Sequence, residues 1–155
     1  RFSNQKAQWK LLKAFCLYQK DAPADIELVL MGTGDYAANL KQLAISLGIS
    51  KKVHFLPFNI NPYKYLVKAH LFILSSLFEG FPIVLAEASF MRIPFVGSRK
   101  AIPEEVYDKK DVWEQSIYDN TFLEADFSTT IHEDERKLAL LIHRGVFQLP
   151  VVLIF

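Results

Sequence analysis

Two kinds of apolar spacing alternate along the chain. Trp9, Leu12, Phe15 and Cys16 recur at helical intervals behind the capping candidates Ser3 and Asn4, which predicts an amphipathic helix from Gln5 to about Lys20, ended by Ala22-Pro23. From Ile26 the pattern changes. IELVLM is a nearly continuous apolar run closed by Gly32-Thr33-Gly34, as expected of a strand covered on both faces. Leu40, Leu43, Ala44 and Leu47 restore the helical period as far as Gly48, a residue suited to the positive φ that often closes a helix.

The same alternation runs on. KVHFL predicts a second strand, Pro62 to Ala69 a short helix, and LFILSS a third strand. Pro82 then suits the first position of a helix reaching about Met91, because an N–H there would have no intrahelical partner. IPFVGS from Ile93 predicts a fourth strand, Pro103 to Tyr107 a turn of helix, NTFLEA a fifth strand and Ile131 to about Ile142 a last helix. Repeated βαβα order predicts an α/β fold: a doubly wound, mostly parallel, Rossmann-like sheet with helices on both faces.

Composition narrows the class. The 155 residues fit one domain, read as residues 1–155, with no repeat and no Pro/Gly/Ser linker. Apolar runs are broken by Glu, Pro or Lys well short of the roughly 20 residues a membrane span needs. A balance of 18 basic against 17 acidic residues offers no global field for nucleic acid, so none is expected as a partner. The single cysteine, Cys16, falls on the predicted buried helix face and reads as an inert core thiol in a reducing compartment. Arg1 is not a natural start and no signal pattern follows it, so the chain reads as an excised domain.

In such a sheet, ligands bind beyond the carboxyl ends of the strands, where the strand order reverses. Gly32-Thr33-Gly34 and the stretch SSLFEGFPIVLAEA, Ser75 to Ala88, both fall on that rim. The stretch holds two acids, Glu79 in the loop and Glu87 in the second predicted helical turn. Ionised carboxylates in an apolar run are costly to bury without partners. Gly80 allows a ligand close to the backbone, N–H groups near Phe81, Ile83 and Val84 point out of the helix start, and an acid such as Glu87 can hold vicinal hydroxyls. Arg1, Lys6 and Lys10 crowd the positive end of the first helix dipole, where a bound anion such as a diphosphate would relieve the conflict. The residues alone leave the alternatives standing: a tight turn at the glycines, solvated lysines, and acids at surface edges.

His54, His70, His132 and His143 show no ligand spacing, and H-E-x-x-H, C-x-x-C and D-x-D are all missing. HEDE from His132 sits at a predicted helix start, where acids suit the dipole. No bound metal is expected.

RFSNQKAQWKLLKAF, LMGTGDYAANLKQLAISLGISKKVHFLPF and LFILSSLFEGFPIVLAEASFMRIPFVGS followed by IPEE resemble the carboxyl-terminal, nucleotide-sugar-binding domain of group 1 glycosyltransferases of the GT-B fold. The resemblance runs from Arg1 to about Glu105, and more faintly to Leu123. An E-x(7)-E pair, its S-S-x-x-E-G-F-P lead-in, the G-x-G and an R-x(4)-K stand in the family's order.

The resemblance implies a role for each position. Arg1 and Lys6 would bind the donor diphosphate and steady the departing nucleoside diphosphate. Glu79 would face the transferred sugar, with the backbone at Gly80, Phe81 and Pro82 touching its hydroxyls. Glu87 would hold the ribose, while Ile83, Val84 and Leu85 would offer backbone N–H groups to phosphate. Gly32 and Gly34 would flank the nucleotide, and Leu56 and Pro57 would pass its base. By the same resemblance, a UDP-sugar or GDP-sugar donates its sugar with retention of configuration, without metal, to a glycan or glycolipid acceptor. The setting would be the cytoplasm or the inner face of its membrane. The sequence departs from the family at Arg99-Lys100-Ala101, where paired glycines are frequent, at Thr121 and at His70.

The family's amino-terminal acceptor domain is missing from the chain, so the isolated chain is expected to bind donor and transfer nothing. The strand that the family places before its arginine is missing too. PVVLIF, Pro150 to Phe155, resembles that strand and leaves two alternatives open: a strand in the central slot between the Ile26 and Leu71 strands, parallel to both, or a disordered or interface tail. Two other readings fit the same residues: a GT-B relative acting as a sugar epimerase or phosphorylase, and a non-catalytic nucleotide-binding or interaction module.

Overall fold

A computed structural model describes residues 1–19, 26–93, 95–98, 123–125 and 151–154. The helices expected at 103–107 and 131–142, and the departures at Arg99-Lys100-Ala101 and Thr121, lie outside the described residues. In chain order the elements are α1 (Gln8–Tyr18), β1 (Glu27–Met31), α2 (Ala37–Ser46), a 3-10 turn (Ser50–Lys52), β2 (Val53–Leu56), α3 (Tyr63–Leu66), β3 (Leu71–Leu74), α4 (Ile83–Phe90), β4 (Phe95–Ser98), β5 (Leu123–Ala125) and β6 (Val151–Ile154).

The six strands form one sheet in the order β2-β1-β6-β3-β4-β5, and every neighbouring pair is parallel. The carboxyl-terminal strand β6 fills the central slot. Val152 lies opposite Leu28 of β1 and Leu71 of β3, and Leu153 opposite Val29 and Phe72. Strand order reverses there, so the loops after β1 and β3 flank the crevice at which such sheets bind ligands.

Burial follows the two-sided pattern read from the sequence. Leu71 and Ile73 of β3 join Leu28 and Leu30 of β1 in a core closed by Leu11, Leu12 and Phe15 of α1 and Leu40 and Ala44 of α2. Phe72 and Leu74 turn to the other face, onto Leu66 of α3 and Leu85 and Ala88 of α4. All four β3 residues are buried, which is why their run shows no alternation. Burial of a side chain such as Phe15 or Leu11 contributes roughly 2 kcal/mol, so each helix is held mainly by its packed face.

Helix α1 starts later than its sequence pattern suggests, and neither Ser3 nor Asn4 caps it by side chain. Residues 3–7 form turns, the Ala7 N–H donates to the Asn4 carbonyl at 3.1 Å, and Ala7 enters the helix in the left-handed region at φ 47°. Cys16 is half-buried against the first core, with Sγ 3.6 Å from the Leu47 carbonyl. Gly48 closes α2 at φ 72°, as its position suggested.

Candidate functional site

The segment before α1 spans the crevice and is stitched to both loops. On one side the Phe2 N–H donates to the Thr33 carbonyl at 2.9 Å, and the Phe2 ring meets Phe55 edge-on at 6.2 Å. On the other, the Leu77 N–H donates to the Gln5 carbonyl at 2.7 Å, the Gln5 side chain to the Phe78 carbonyl at 3.0 Å, and Ser75 Oγ to the Lys6 carbonyl at 2.8 Å. These bonds fix Lys6 opposite the β3–α4 loop.

Gly34 makes the first seam possible. Its φ is 153°, and a Cβ there would lie 2.2 Å from the Phe2 carbonyl oxygen, a clash with backbone that cannot swing aside. Gly32 is tied in turn to β2, its N–H donating to the Leu56 carbonyl at 2.9 Å, so the β1 and β2 ends form one surface with Pro57 exposed beside it.

At the other seam, Lys6 Nζ contacts Glu79 Oε1 at 2.5 Å, and Ser76 Oγ donates to the same oxygen at 2.5 Å. The Glu79 side chain is only 11% exposed, so it is largely withdrawn from water and needs both donors. The backbone of Arg1 lies close enough to the Lys6 ammonium and the Glu79 carboxylate for both charges to act on it.

Glu87 sits on the second turn of α4 and accepts a hydrogen bond of 2.8 Å from the Tyr63 hydroxyl at the start of α3. Tyr63, Ala86, Glu87, Phe90 and Met91 line a groove of about 560 Å³, within the usual range for small-molecule sites. Phe81 and Ile83 are exposed at the mouth of the β3–α4 loop.

The start of α4 differs from expectation. Pro82 precedes the helix, which opens at Ile83. The N–H of Ile83 donates to the Phe81 carbonyl at 3.0 Å and that of Leu85 to the Pro82 carbonyl at 2.8 Å, because the chain tightens as it leaves the loop. Of the three backbone donors expected to meet phosphate, Ile83 and Leu85 are thus engaged within the chain, and the Leu85 side chain belongs to the core at 4% exposure. Val84 is the donor of the three that these turns leave out.

Two residues of the site, Ser76 and Tyr63, were not foreseen from the sequence. Ser76 stood inside the S-S-x-x-E-G-F-P lead-in without a role, and nothing in the spacing of Tyr63, 24 residues before Glu87, signals that they touch. Of the histidines, His54 is an exposed partner of Glu27 at 3.0 Å, and His70 is half-buried with Nδ1 lacking a partner; His132 and His143 lie outside the described residues.

Residues 1–133 match the family of glycosyl transferases group 1. The chain belongs to that family. It is 31% identical over 107 residues to an uncharacterized glycosyltransferase of Methanocaldococcus jannaschii, covering 68% of this chain and 26% of that protein. It is also 42% identical over 64 residues to the N-acetylgalactosamine-N,N'-diacetylbacillosaminyl-diphospho-undecaprenol 4-alpha-N-acetylgalactosaminyltransferase of Campylobacter jejuni, covering 41% of this chain and 18% of that protein. The chain thus spans at most about a quarter of the length of these curated relatives.

Among solved structures it resembles WaaG, a glycosyltransferase involved in lipopolysaccharide biosynthesis, with a TM-score of 0.72 at 18% identity over 94% of this chain and 36% of that one. It resembles Anabaena HepE in complex with UDP and glucose with a TM-score of 0.71 at 20% identity, over 96% of this chain and 37% of that one. At such identities the likeness speaks for the fold, the Rossmann-like half of a GT-B glycosyltransferase.

Proposed function

We propose that the chain is the donor-binding domain of a retaining glycosyltransferase, which transfers a hexose-type sugar from a nucleoside diphosphate to a glycan or lipid-linked acceptor. The observation that carries this reading is the meeting of Lys6, Glu79 and Ser76 in the crevice where strand order reverses, with Glu87 on the helix that follows the Glu79 loop. Lys6 and Arg1 bind the diphosphate and stabilise the charge that grows on it as the sugar departs, electrostatic work that elsewhere falls to a metal ion. No metal is needed in this scheme. Glu79 faces the sugar with the backbone at Gly80, Phe81 and Pro82, and Glu87 holds the ribose hydroxyls. Val84 offers a backbone N–H to phosphate, Gly32 and Gly34 border the nucleotide, and Leu56 and Pro57 its base.

The Lys6–Glu79 contact adds a requirement to this scheme. The diphosphate must compete with Glu79 for Lys6, so donor binding frees the carboxylate to turn toward the sugar. The complex of HepE with UDP and glucose supports UDP as the donor nucleotide, with GDP the alternative, and the Campylobacter relative's name supports a lipid-linked acceptor. An acceptor half must complete the cleft, so residues 1–155 alone bind donor without transferring sugar. The setting that fits such an acceptor is the cytoplasm or the inner membrane face; among the described residues no helix is long and apolar enough to cross a membrane.

Calorimetry with UDP, GDP and their sugars in EDTA tests the reading. Binding that survives EDTA and weakens roughly tenfold or more in Lys6→Ala and in Glu87→Ala supports it. Unchanged affinity in both variants would remove it.

A further inference from the structure

The Tyr63–Glu87 hydrogen bond has no part in the scheme above. Tyr63 opens α3 immediately after Pro62, and the turn that presents it is built from short-range bonds. The Asn61 N–H donates to Asn59 Oδ1 at 2.9 Å, and the Tyr65 and Leu66 N–H groups donate to the Pro62 carbonyl at 3.0 and 3.1 Å. Leu66, 1% exposed, anchors this turn in the second core, whereas Tyr63 itself is 45% exposed. The tyrosine is thus held from behind while its hydroxyl reaches across to α4.

An ionised carboxylate only accepts hydrogen bonds, so the Tyr63 hydroxyl is the donor. It takes Oε1 at 2.8 Å and leaves Oε2 and the remaining lone pairs of Oε1 for hydroxyls arriving through the groove. A glutamate has three side-chain torsions, and an exposed one samples many rotamers; one fixed oxygen removes most of that freedom before a ligand binds.

We infer that Tyr63 is a positioning residue for the nucleotide: it holds the Glu87 carboxylate toward the groove so that the carboxylate meets both ribose hydroxyls in one orientation. This inference rests on the ribose role given to Glu87 above. The phenol of Tyr63 is raised above its ordinary value chiefly by the hydrogen bond to Glu87, then by that acid's charge.

The test compares UDP and GDP with their 2',3'-dideoxy counterparts, by calorimetry on the full chain, for the unaltered protein, Tyr63→Phe and Glu87→Gln. The phenyl ring keeps the groove wall and loses only the hydroxyl, and thermal unfolding checks that the fold is intact. The unaltered protein prefers the ribose form, and Tyr63→Phe reduces that preference about fivefold, the effect of one modest hydrogen bond. Adding Tyr63→Phe to Glu87→Gln causes no further loss. A merely structural role would weaken both nucleotide forms equally and leave the preference unchanged, which overturns the inference alone. Tighter binding of the ribose form by Tyr63→Phe also overturns it, since Tyr63 would then block the carboxylate. Absence of any ribose preference in the unaltered protein overturns the role of Glu87, and the inference with it.

Discussion

Lys6 and Glu79 stand 73 residues apart in the sequence and touch in the crevice, with Ser76 donating to the same carboxylate oxygen. The contact joins the segment before α1 to the loop after β3. It also links stability to ligand binding, because the same ammonium group that supports a largely buried acid is the one proposed to meet phosphate.

Replacing Lys6 with methionine keeps the apolar stem and removes the charge. Exposed ion pairs contribute about 0 to 1 kcal/mol, and breaking a fully buried pair costs about 3 to 5. Side-chain exposures of 28% for Lys6 and 11% for Glu79 place this pair between those limits. Ser76 still serves the acid, so Lys6→Met should lower stability by about 1 to 2 kcal/mol. Urea unfolding measures it, and Lys6→Met combined with Glu79→Gln should recover part of the loss. Equal loss in the single and double variants would show that the pair is not what supports this seam.

Gly34 and Gly80 offer a contrast within one crevice. A methyl group at Gly34 would meet the Phe2 carbonyl at 2.2 Å in a backbone conformation that L side chains rarely adopt, while at Gly80 nothing lies within 4 Å. Gly34→Ala should therefore cost about 3 kcal/mol or more and displace the Arg1–Lys6 segment, weakening nucleotide binding with it. Gly80→Ala should stay within about 0.5 kcal/mol. Denaturant midpoints for the two variants decide the matter; similar values would remove the argument from close approach.

Much of the fold was legible because its signals are local. The apolar runs at Ile26 and Leu71, the helical period after Leu40, and Gly48 and Pro82 near helix ends each act within a few residues of chain. The slot for β6 was legible only through family resemblance, since four apolar residues carry no statement of which strands they join. Side-chain pairing was not legible at all: Lys6 with Glu79 and Tyr63 with Glu87 depend on how separate elements are packed. Ser3 and Asn4 misled as caps because the turns at residues 3–7 delay the helix, and the bonds from the Ile83 and Leu85 N–H groups to the Phe81 and Pro82 carbonyls depend on a turn that spacing does not announce.

The Tyr63–Glu87 bond predicts a pH dependence with a definite sign. The folded-state value of Tyr63 is raised, so above about pH 10 the native chain binds more protons than the unfolded one. The contribution is fully present below that pH and is lost as pH climbs through the raised folded-state value. Tyrosinate absorbance near 295 nm follows this directly. In Glu87→Gln one tyrosine should titrate earlier than in the unaltered protein, while Tyr18, raised by burial, should not move. An identical titration curve in the two proteins would mean that the bond does not persist in solution.

Strand β6 supports the sheet from its centre, which makes Val152→Pro the most damaging single change expected here. Val152 lies opposite Leu28 on one side and Leu71 on the other, so its backbone faces β1 and β3 together. Proline removes the N–H from that ladder and crowds the neighbouring strand, a substitution tolerated at sheet edges and not in central strands. The loss should reach about 3 kcal/mol or more, a large share of the roughly 5 to 15 kcal/mol that stabilises a domain. It should also loosen the crevice, since the loops that flank it follow the two strands paired with β6. Circular dichroism with temperature and nucleotide calorimetry on Val152→Pro measure both effects. The same proline at Val53 on the edge strand β2 should cost less; equal losses would place β6 outside the central slot.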